Sequence, residues 1–442
     1  MTCSEQCRSF VGLPIAAVAT LFLMFAAMPA PAQTFTVLHA FTDTSDGALP
    51  VSGLALDRNG TVYGTTDSGG IFNNGDCFYG CGVVFRLTNR TGSWVFSFIY
   101  SFQGEPDGFS PEGVTVGPDG TLYGLTYEGG QGGYSQCIYA ATGCGTIFHL
   151  QPPAYFCTSV NCPWSETVLH RFTGSEYGDG AIPMDGDSLV FDHAGNMYGT
   201  ASYGGTHNYG TVFEASPGQG GWTENTLYSF SGGGSDGWAT PESGLIMDSS
   251  GNLYGTTTEE NQYASGVLYQ LSPSGGSWVP SVLQAFQCSG SEGCYPQGLI
   301  QDASGNVYLL NDGGGANGGG TAVELMPSQG WSSNVLSSFS RYGDGPYGPV
   351  GKMARDAQGN LYGASAGGGT YGHGTVFKLT PDGSGGWTST VLHSFSGEAD
   401  GSIPYAGVVV DAHGNIFGTT IYGGDMRACN IDGCGVVYEI TP

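Results

Sequence analysis

The stretch Gly251–Thr257 reads GNLYGTT, and near-copies of it recur along the whole chain. NGTVYGTT runs from Asn59 to Thr66 and DGTLYGLT from Asp119 to Thr126. GNMYGTA starts at Gly195, GNVYLLN at Gly305, GNLYGAS at Gly359 and GNIFGTT at Gly414. Aligned on their aromatic residue, the seven copies give Tyr63, Tyr123, Tyr198, Tyr254, Tyr308, Tyr362 and Phe417, mostly 54 to 60 residues apart. A phrase repeated at such a period encodes a repeated supersecondary unit.

Each unit contains four short apolar runs. In the last they are TVLHSF from Thr390, AGVVVD from Ala406, NIFGTT from Asn415 and GVVYEI from Gly435. All are rich in β-branched and aromatic residues and bounded by Gly, Pro, Asn or Asp, the pattern of strands, and helical periodicity is sustained nowhere after the N-terminal segment. Between the second and third of these runs, D-x-x-G-N as in Asp356–Asn360 offers a carboxylate for the onward backbone and a glycine for positive φ, hence a tight hairpin. The Gly after the Tyr, such as Gly255 or Gly363, lies inside a strand and is expected to admit a neighbouring aromatic or backbone. Six Trp precede a Phe by eight residues, from Trp94/Phe102 to Trp387/Phe395, an even offset that assigns them to packing.

Seven four-stranded units predict an all-β chain folded as a seven-bladed β-propeller. An open solenoid is the rival, and the chain ends separate the two. An isolated strand, TFTVLHAF from Thr34, precedes the first unit, and no strand of that kind follows GVVYEITP at the other end. The N-terminal strand is therefore expected to close the last blade.

Residues 1–32 read as a signal peptide: Arg8, an apolar run from about Val11 to Ala27, and an Ala30-Pro31-Ala32 cleavage site, leaving 33–442 as one propeller domain. No later segment approaches the roughly 18 apolar residues of a membrane span. Glycine supplies 79 of 442 residues, more than double the usual share of about 7%, yet 12% aromatics argue for a folded core. A net charge of −27 with ten Lys plus Arg disfavours nucleic acid and anionic lipid as partners. The remaining ten cysteines form close pairs, Cys77/Cys81, Cys137/Cys144, Cys157/Cys162, Cys288/Cys294 and Cys429/Cys434, which in an exported chain predict five local disulfides. Zinc is the competing reading, and paired His ligands do not accompany these cysteines.

The units, written GNLYGTT…GG…GTVFKLTP…GW…TVLHSFSG…DG…P…G, resemble the Gloeo/Verruco tandem repeats of secreted bacterial proteins. The resemblance spans nearly all of the chain after the leader. It implies export and a propeller-like repeat architecture, and it brings no catalytic residues.

With the strands of a unit called A (as GLALD), B (TVYGTT), C (VVFRL) and D (TVLHSF), the short uniform A–B turns lie on one face and the long, variable B–C and D–A loops on the other. Function is expected on the variable face. Most D–A loops there carry Asp-Gly, at Asp46, Asp107, Asp179, Asp236, Asp344 and Asp400, and the remaining loop offers Glu292. No cofactor is predicted from this pattern; calcium is the one cation left open, against the plainer reading that each Asp caps its own turn. His39, His170 and His393 share one position on strand D and read as packing. GGSDG at Gly233 matches G-x-S-x-G without a strand-to-helix elbow, and GPVGKM before Ala354 lacks phosphate-loop spacing.

Unshared residues are the better place to seek a unique function. Trp238 and Phe109 stand where other units have a small residue after Asp-Gly, and Glu259, Glu260 and Asp312 replace glycine or threonine in B–C loops. These five make the candidate ligand site, with the aromatics exposed for stacking and the carboxylates accepting from hydroxyls. The preferred reading is a secreted, monomeric, non-catalytic binding or scaffold module for glycans or envelope polymers. The alternative is a polysaccharide hydrolase or lyase using loop carboxylates.

Overall fold

Each of the seven phrases forms the second strand of its own antiparallel sheet, and the seven sheets form a ring. The computed structural model describes residues 33–71, 77–130, 137, 142–154, 162–175, 178–184, 189–232, 240–241, 243–429 (for 259–260 the backbone only, and without 261–264) and 432–442. The predicted leader, residues 1–32, lies outside them. Blade 1 pairs Ala55–Leu56, Val62–Thr66, Val83–Arg90 and Ser93–Ser101 in chain order. Blades 2, 4, 5 and 6 repeat that order, starting at Phe109, Ile246, Cys294 and Pro346. In blade 3 the A strand is split into Gly180–Pro183 and Val190–Phe191, both paired with Met197–Gly204. No α-helix is present among the described residues.

The seventh sheet joins the chain ends. Thr34–Ala40 pairs antiparallel with Val436–Thr441, which continues to Ile416–Thr420 and Val409–Val410. The fourth strand of the last blade is thus the first strand of the chain, as expected. The A strand of this blade is shorter than the AGVVVD run predicted, since only Val409 and Val410 pair with its neighbour.

The repeat is written in contacts within blades and between them. Each B strand Gly faces an aromatic of the adjacent C strand: a Cβ on Gly363 would meet the Phe377 ring, and one on Gly124 the Phe148 ring. Blade 5 departs in compensating fashion, with Leu309 in place of the Gly and Val323 in place of the aromatic, partners across the same rungs. The phrase Tyr donates its hydroxyl to the A–B turn Asp of its own blade, as Tyr254 does to Asp248 at 2.9 Å. Its ring is covered by the Trp that opens strand D of the next blade, with centroids 6.1 Å apart for Tyr63/Trp164 and 5.6 Å for Tyr254/Trp331. Another such contact, Trp94 on Phe417 at 5.4 Å, crosses the junction of the chain ends.

A lock that does recur in all seven blades lies on the B–C side. The residue before the strand A proline is left-handed in every blade: Leu49, Ser110, Ile182, Thr240, Tyr295, Gly348 and Ile403. Non-glycine residues rarely adopt this conformation, and the residue before proline is normally extended. The geometry turns the X–Pro unit toward the preceding blade, whose C strand begins with a Gly also at positive φ. A Cβ there would strike the proline ring, at 2.5 Å for Gly374 against Pro404 and 2.7 Å for Gly435 against Pro50, the pair that closes the ring. The X residue donates its N–H to the carbonyl just before that Gly, as Ile403 does to His373 at 2.9 Å and Leu49 to Cys434 at 2.9 Å.

Candidate functional site

The loops of the B–C and D–A face are long where the A–B turns are short, and they differ in what they expose. Phe78, Tyr79, Tyr209, Tyr342, Tyr371, Tyr405 and Tyr422, the exposed aromatics among the described residues, all lie in these loops. Burying such rings elsewhere on folding would stabilise the chain by about 2 kcal/mol each, so a face that gathers them is marked for contact with something else.

The densest of these features is in blade 1. The Cys77–Cys81 disulfide closes a turn whose tip carries Phe78 and Tyr79, 75% and 68% exposed, with rings edge-to-face at 5.1 Å. Gly69 donates its N–H to the Tyr79 carbonyl at 2.7 Å, tying the tip to the end of strand B. Beneath lies a cavity of about 250 Å³ lined by Asp67, Ser68, Phe78, Tyr79, Phe109 and Ser110, among others. Burial pushes the Asp67 carboxyl above its ordinary value, and the Ser110 hydroxyl partly offsets this by donating to it. The arrangement offers two exposed rings, an apolar floor and a polar wall.

Around the outer strands the loop carboxylates do what a turn requires. Asp46 accepts from Thr42 N at 3.1 Å, Asp107 from Gln103 N at 3.0 Å and Asp179 from Thr173 N at 2.8 Å. Each also binds a strand D side chain two residues before the closing Phe. His39 meets Asp46 at 3.0 Å, His170 meets Asp179 at 3.1 Å, His393 meets Asp400 at 3.0 Å, and Tyr100 donates to Asp107 at 2.5 Å. The three histidines are therefore polar partners of the loop Asp, which corrects the expectation that they serve packing alone.

The slot over that pair is filled from the next blade, by the residue six before its own closing Phe. Phe96 stacks on His39 at 3.7 Å and Phe35 on His393 at 3.8 Å. Two slots instead receive a carboxylate, Glu166 beside Tyr100 and Asp107, and Glu224 beside His170 and Asp179. Burial, then the nearby Asp107, pushes Glu166 up to about 8, while Arg171 pulls it back. Burial, then Asp179, pushes Glu224 up to about 7. The Glu166 slot opens into a cavity of about 430 Å³ bounded by Arg171, whose Nη2 donates to the Pro106 carbonyl at 2.7 Å.

Of the five residues singled out from sequence, the two whose side chains are described, Phe109 and Asp312, do not converge. Phe109 is 8% exposed and packs in the core between blades 1 and 2, which corrects the expectation of an exposed ring; only part of it reaches the floor of the blade 1 cavity. The cause is its place as the first residue of strand A, paired with Glu128. Trp238 lies outside the described residues, as does Asp236, and Glu259 and Glu260 end the strand Leu253–Glu260 with side chains outside the description. Asp312 is exposed near the end of Val307–Gly313 in blade 5, a blade that does not adjoin blade 1. Asp67, Phe78, Tyr79, Glu166 and Glu224 were missed. The signal for the two Glu was present, since SETVLH and TENTLY put Glu where TFTVLH and VFSFIY put Phe.

Four of the expected disulfides are formed, Cys77–Cys81, Cys137–Cys144, Cys288–Cys294 and Cys429–Cys434. Cys162 is disulfide-bonded too, and its expected partner Cys157 lies outside the described residues.

A family model for the Gloeobacter/Verrucomicrobia repeat matches residues 78–261, 138–347 and 240–442. The chain belongs to this repeat family. No curated protein matches it. Among solved structures it is similar to the virginiamycin B lyase of Staphylococcus aureus, crystallised in an inactive form with quinupristin, at 11% identity and a TM-score of 0.53, covering 93% of this chain and 99% of the lyase. The extracellular domain of a hybrid two-component system from B. thetaiotaomicron matches at 12% identity and a TM-score of 0.54, over 93% of this chain and 42% of the other. At these identities the likeness is one of fold. For the Gloeobacter/Verrucomicrobia repeat chain, function rests on its own side chains. Its disulfides fit an oxidising, extracytoplasmic setting, and no helix among the described residues is long and apolar enough to cross a membrane.

Proposed function

We propose that this chain is a secreted, non-catalytic binding module whose B–C and D–A face takes extracellular polymers presenting flat apolar surfaces, with glycans the class that fits best. The observation that carries this reading is the gathering of seven exposed aromatic rings on that one face. Phe78 and Tyr79 supply the platform, a sugar ring stacks on them, and Asp67 and Ser110 receive or donate to its hydroxyls. Trp238, Glu259, Glu260 and Asp312 stay in the proposal as outer contacts of the same face.

Retention on a panel of immobilised polysaccharides, read for the wild type and for Phe78→Ala with Tyr79→Ala, tests it. Loss of both rings should lower affinity tenfold or more, about 1.4 kcal/mol, and leave the melting temperature unchanged because neither ring is buried. Equal retention by the two proteins would dispose of the platform. A second reading, hydrolase or lyase chemistry, is favoured by one observation: Glu166 holds its proton to about pH 8 beside Asp107 and an open cavity. Turnover of a retained polysaccharide that disappears in Glu166→Gln would support it over simple binding.

A further inference from the structure

The His–Asp pair occurs three times around the ring, and the repeat itself acts as a control on what each slot is built for. At His39 and His393 the next blade closes the slot with a phenylalanine ring stacked on the imidazole. At His170 it sends in Glu224, so that one imidazole nitrogen and two carboxylate oxygens lie within 4.8 Å of one another. Asp179 is 8% exposed and its position is fixed: Thr173 N donates to it at 2.8 Å, Thr173 Oγ1 at 3.0 Å and Gly180 N at 2.7 Å. Glu224 has one hydroxyl neighbour, Thr226 Oγ1 at 3.3 Å from its Oε1.

Two carboxylates facing each other in a partly buried slot call for a proton or a positive charge between them. The Asp107/Glu166 slot carries its own in Arg171, which precedes the closing Phe172. At the same strand position in the Glu224 slot stands Ser229. The slot that gives up the arginine is also the one that keeps a histidine, so the substitution of charge and the provision of a nitrogen donor occur together. His170 Nε2 and Asp179 Oδ2, 3.1 Å apart, are spaced as adjacent ligands of one ion with bonds of about 2.0–2.2 Å. The third ligand atom, a Glu224 carboxylate oxygen, lies within 4.8 Å of both.

We propose that His170, Asp179 and Glu224 form a binding site for a divalent transition-metal ion of the zinc class, at the outer edge of the blade 2–blade 3 junction. The imidazole donor and the low ligand number suit zinc over calcium, which takes six to eight oxygens. On binding, the metal takes the Nε2 lone pair, the imidazole proton resides on Nδ1, and Thr173, donating to Oδ2, and Gly180, donating to Oδ1, orient the Asp179 carboxylate as outer partners. The ion would pin the split A strand of blade 3, through Asp179, to the outer strands of blades 2 and 3.

The test uses the whole chain after its leader, stripped with chelator and titrated with Zn²⁺ by calorimetry, and with Co²⁺ by visible absorption. One ion per chain is expected, with a d–d spectrum for Co²⁺ and a rise in melting temperature with added Zn²⁺. Glu224→Phe installs the side chain that closes the other two His–Asp slots, so it should fold as the wild type does while weakening Zn²⁺ binding at least 100-fold. His393→Gln removes a His–Asp pair of the aromatic-closed kind and should leave binding intact. The proposal fails if the wild type binds no Zn²⁺, if Glu224→Phe binds it as tightly, or if His393→Gln abolishes it.

Discussion

Replacing Gly374 by Ala tests the lock between blades at a point where its terms can be worked separately. Gly374 has φ of +100°, and an added Cβ would lie 2.5 Å from Pro404 Cδ and 2.6 Å from the Ser365 carbonyl oxygen. Placing an L-residue in the left-handed region costs about 1–2 kcal/mol, and forcing a methyl into an occupied space costs about 1–3 kcal/mol. The expected loss is therefore about 2–5 kcal/mol. Gly372, two residues away in the same loop, has φ of +80° and open space around its Cβ position. Gly372→Ala keeps the backbone term and drops the contact, so it should cost about 1–2 kcal/mol. Urea unfolding followed by tryptophan fluorescence gives both values, read as midpoint shifts at unchanged slope. Pro404→Ala in the Gly374→Ala background should recover part of the difference, since it removes the ring that is struck; a coupling above about 0.5 kcal/mol is expected for groups in contact. Equal destabilisation by the two Gly→Ala changes, or a coupling of zero, would show that the proline does not seat on the glycine and that the seven-fold lock is a coincidence of turns.

Two further outcomes follow from the packing and from the charges. Phe41 and Phe395 occupy the same strand D position in blades 7 and 6, and both are fully buried; Phe41→Ala and Phe395→Ala should each cost about 3–5 kcal/mol, and a Phe41→Ala cost under about 1 kcal/mol would mean that the N-terminal strand does not close the ring in solution. Glu166, raised to about 8 from an ordinary 4.5, keeps in the folded chain a proton that the unfolded chain releases, so its contribution opposes folding increasingly as pH rises between those values. Glu166→Gln should thus gain on the wild type between pH 5 and pH 8, by about 1 kcal/mol after allowance for its partial exposure, whereas a pH-independent difference between the two melting temperatures would contradict the shift.

The architecture was legible because every blade restates its contacts in the same letters. Tyr254 needs Asp248 below it and Trp331 over it, and each of the three recurs in most units at its own place in the repeat, so the sequence displays the contact even though one partner sits on the next blade. The closing strand was legible for the same reason: TFTVLHAF is a fourth strand without the three that should precede it. Blade 5 shows how the period tolerates change, since Leu309 and Val323 exchange bulk across one pair of strands and leave the spacing intact. What the repeat hid was strand length. AGVVVD looks like six residues of strand, but ladder pairing holds only Val409 and Val410.

The candidate site was harder to find because the informative comparison is between a residue and its neighbour on another blade, some 50 residues away. Scanning for departures from the consensus picked Phe109, whose bulk is absorbed by the core of its own junction, and passed over Glu166 and Glu224, whose strands otherwise conform. A glutamate on an outer strand is ordinarily a solvated surface residue. It becomes chemistry only once the slot it enters is known to hold a second carboxylate, Asp107 or Asp179, placed there by the turn of the preceding blade. In a propeller, then, the unit of function is the junction rather than the repeat: the residue six before one closing Phe must be read against the residue two before the previous one. Applied along this chain, that rule pairs Phe35 with His393, Phe96 with His39, Glu166 with Tyr100 and Glu224 with His170, and it separates two aromatic seals from two charged sites without reference to any ligand.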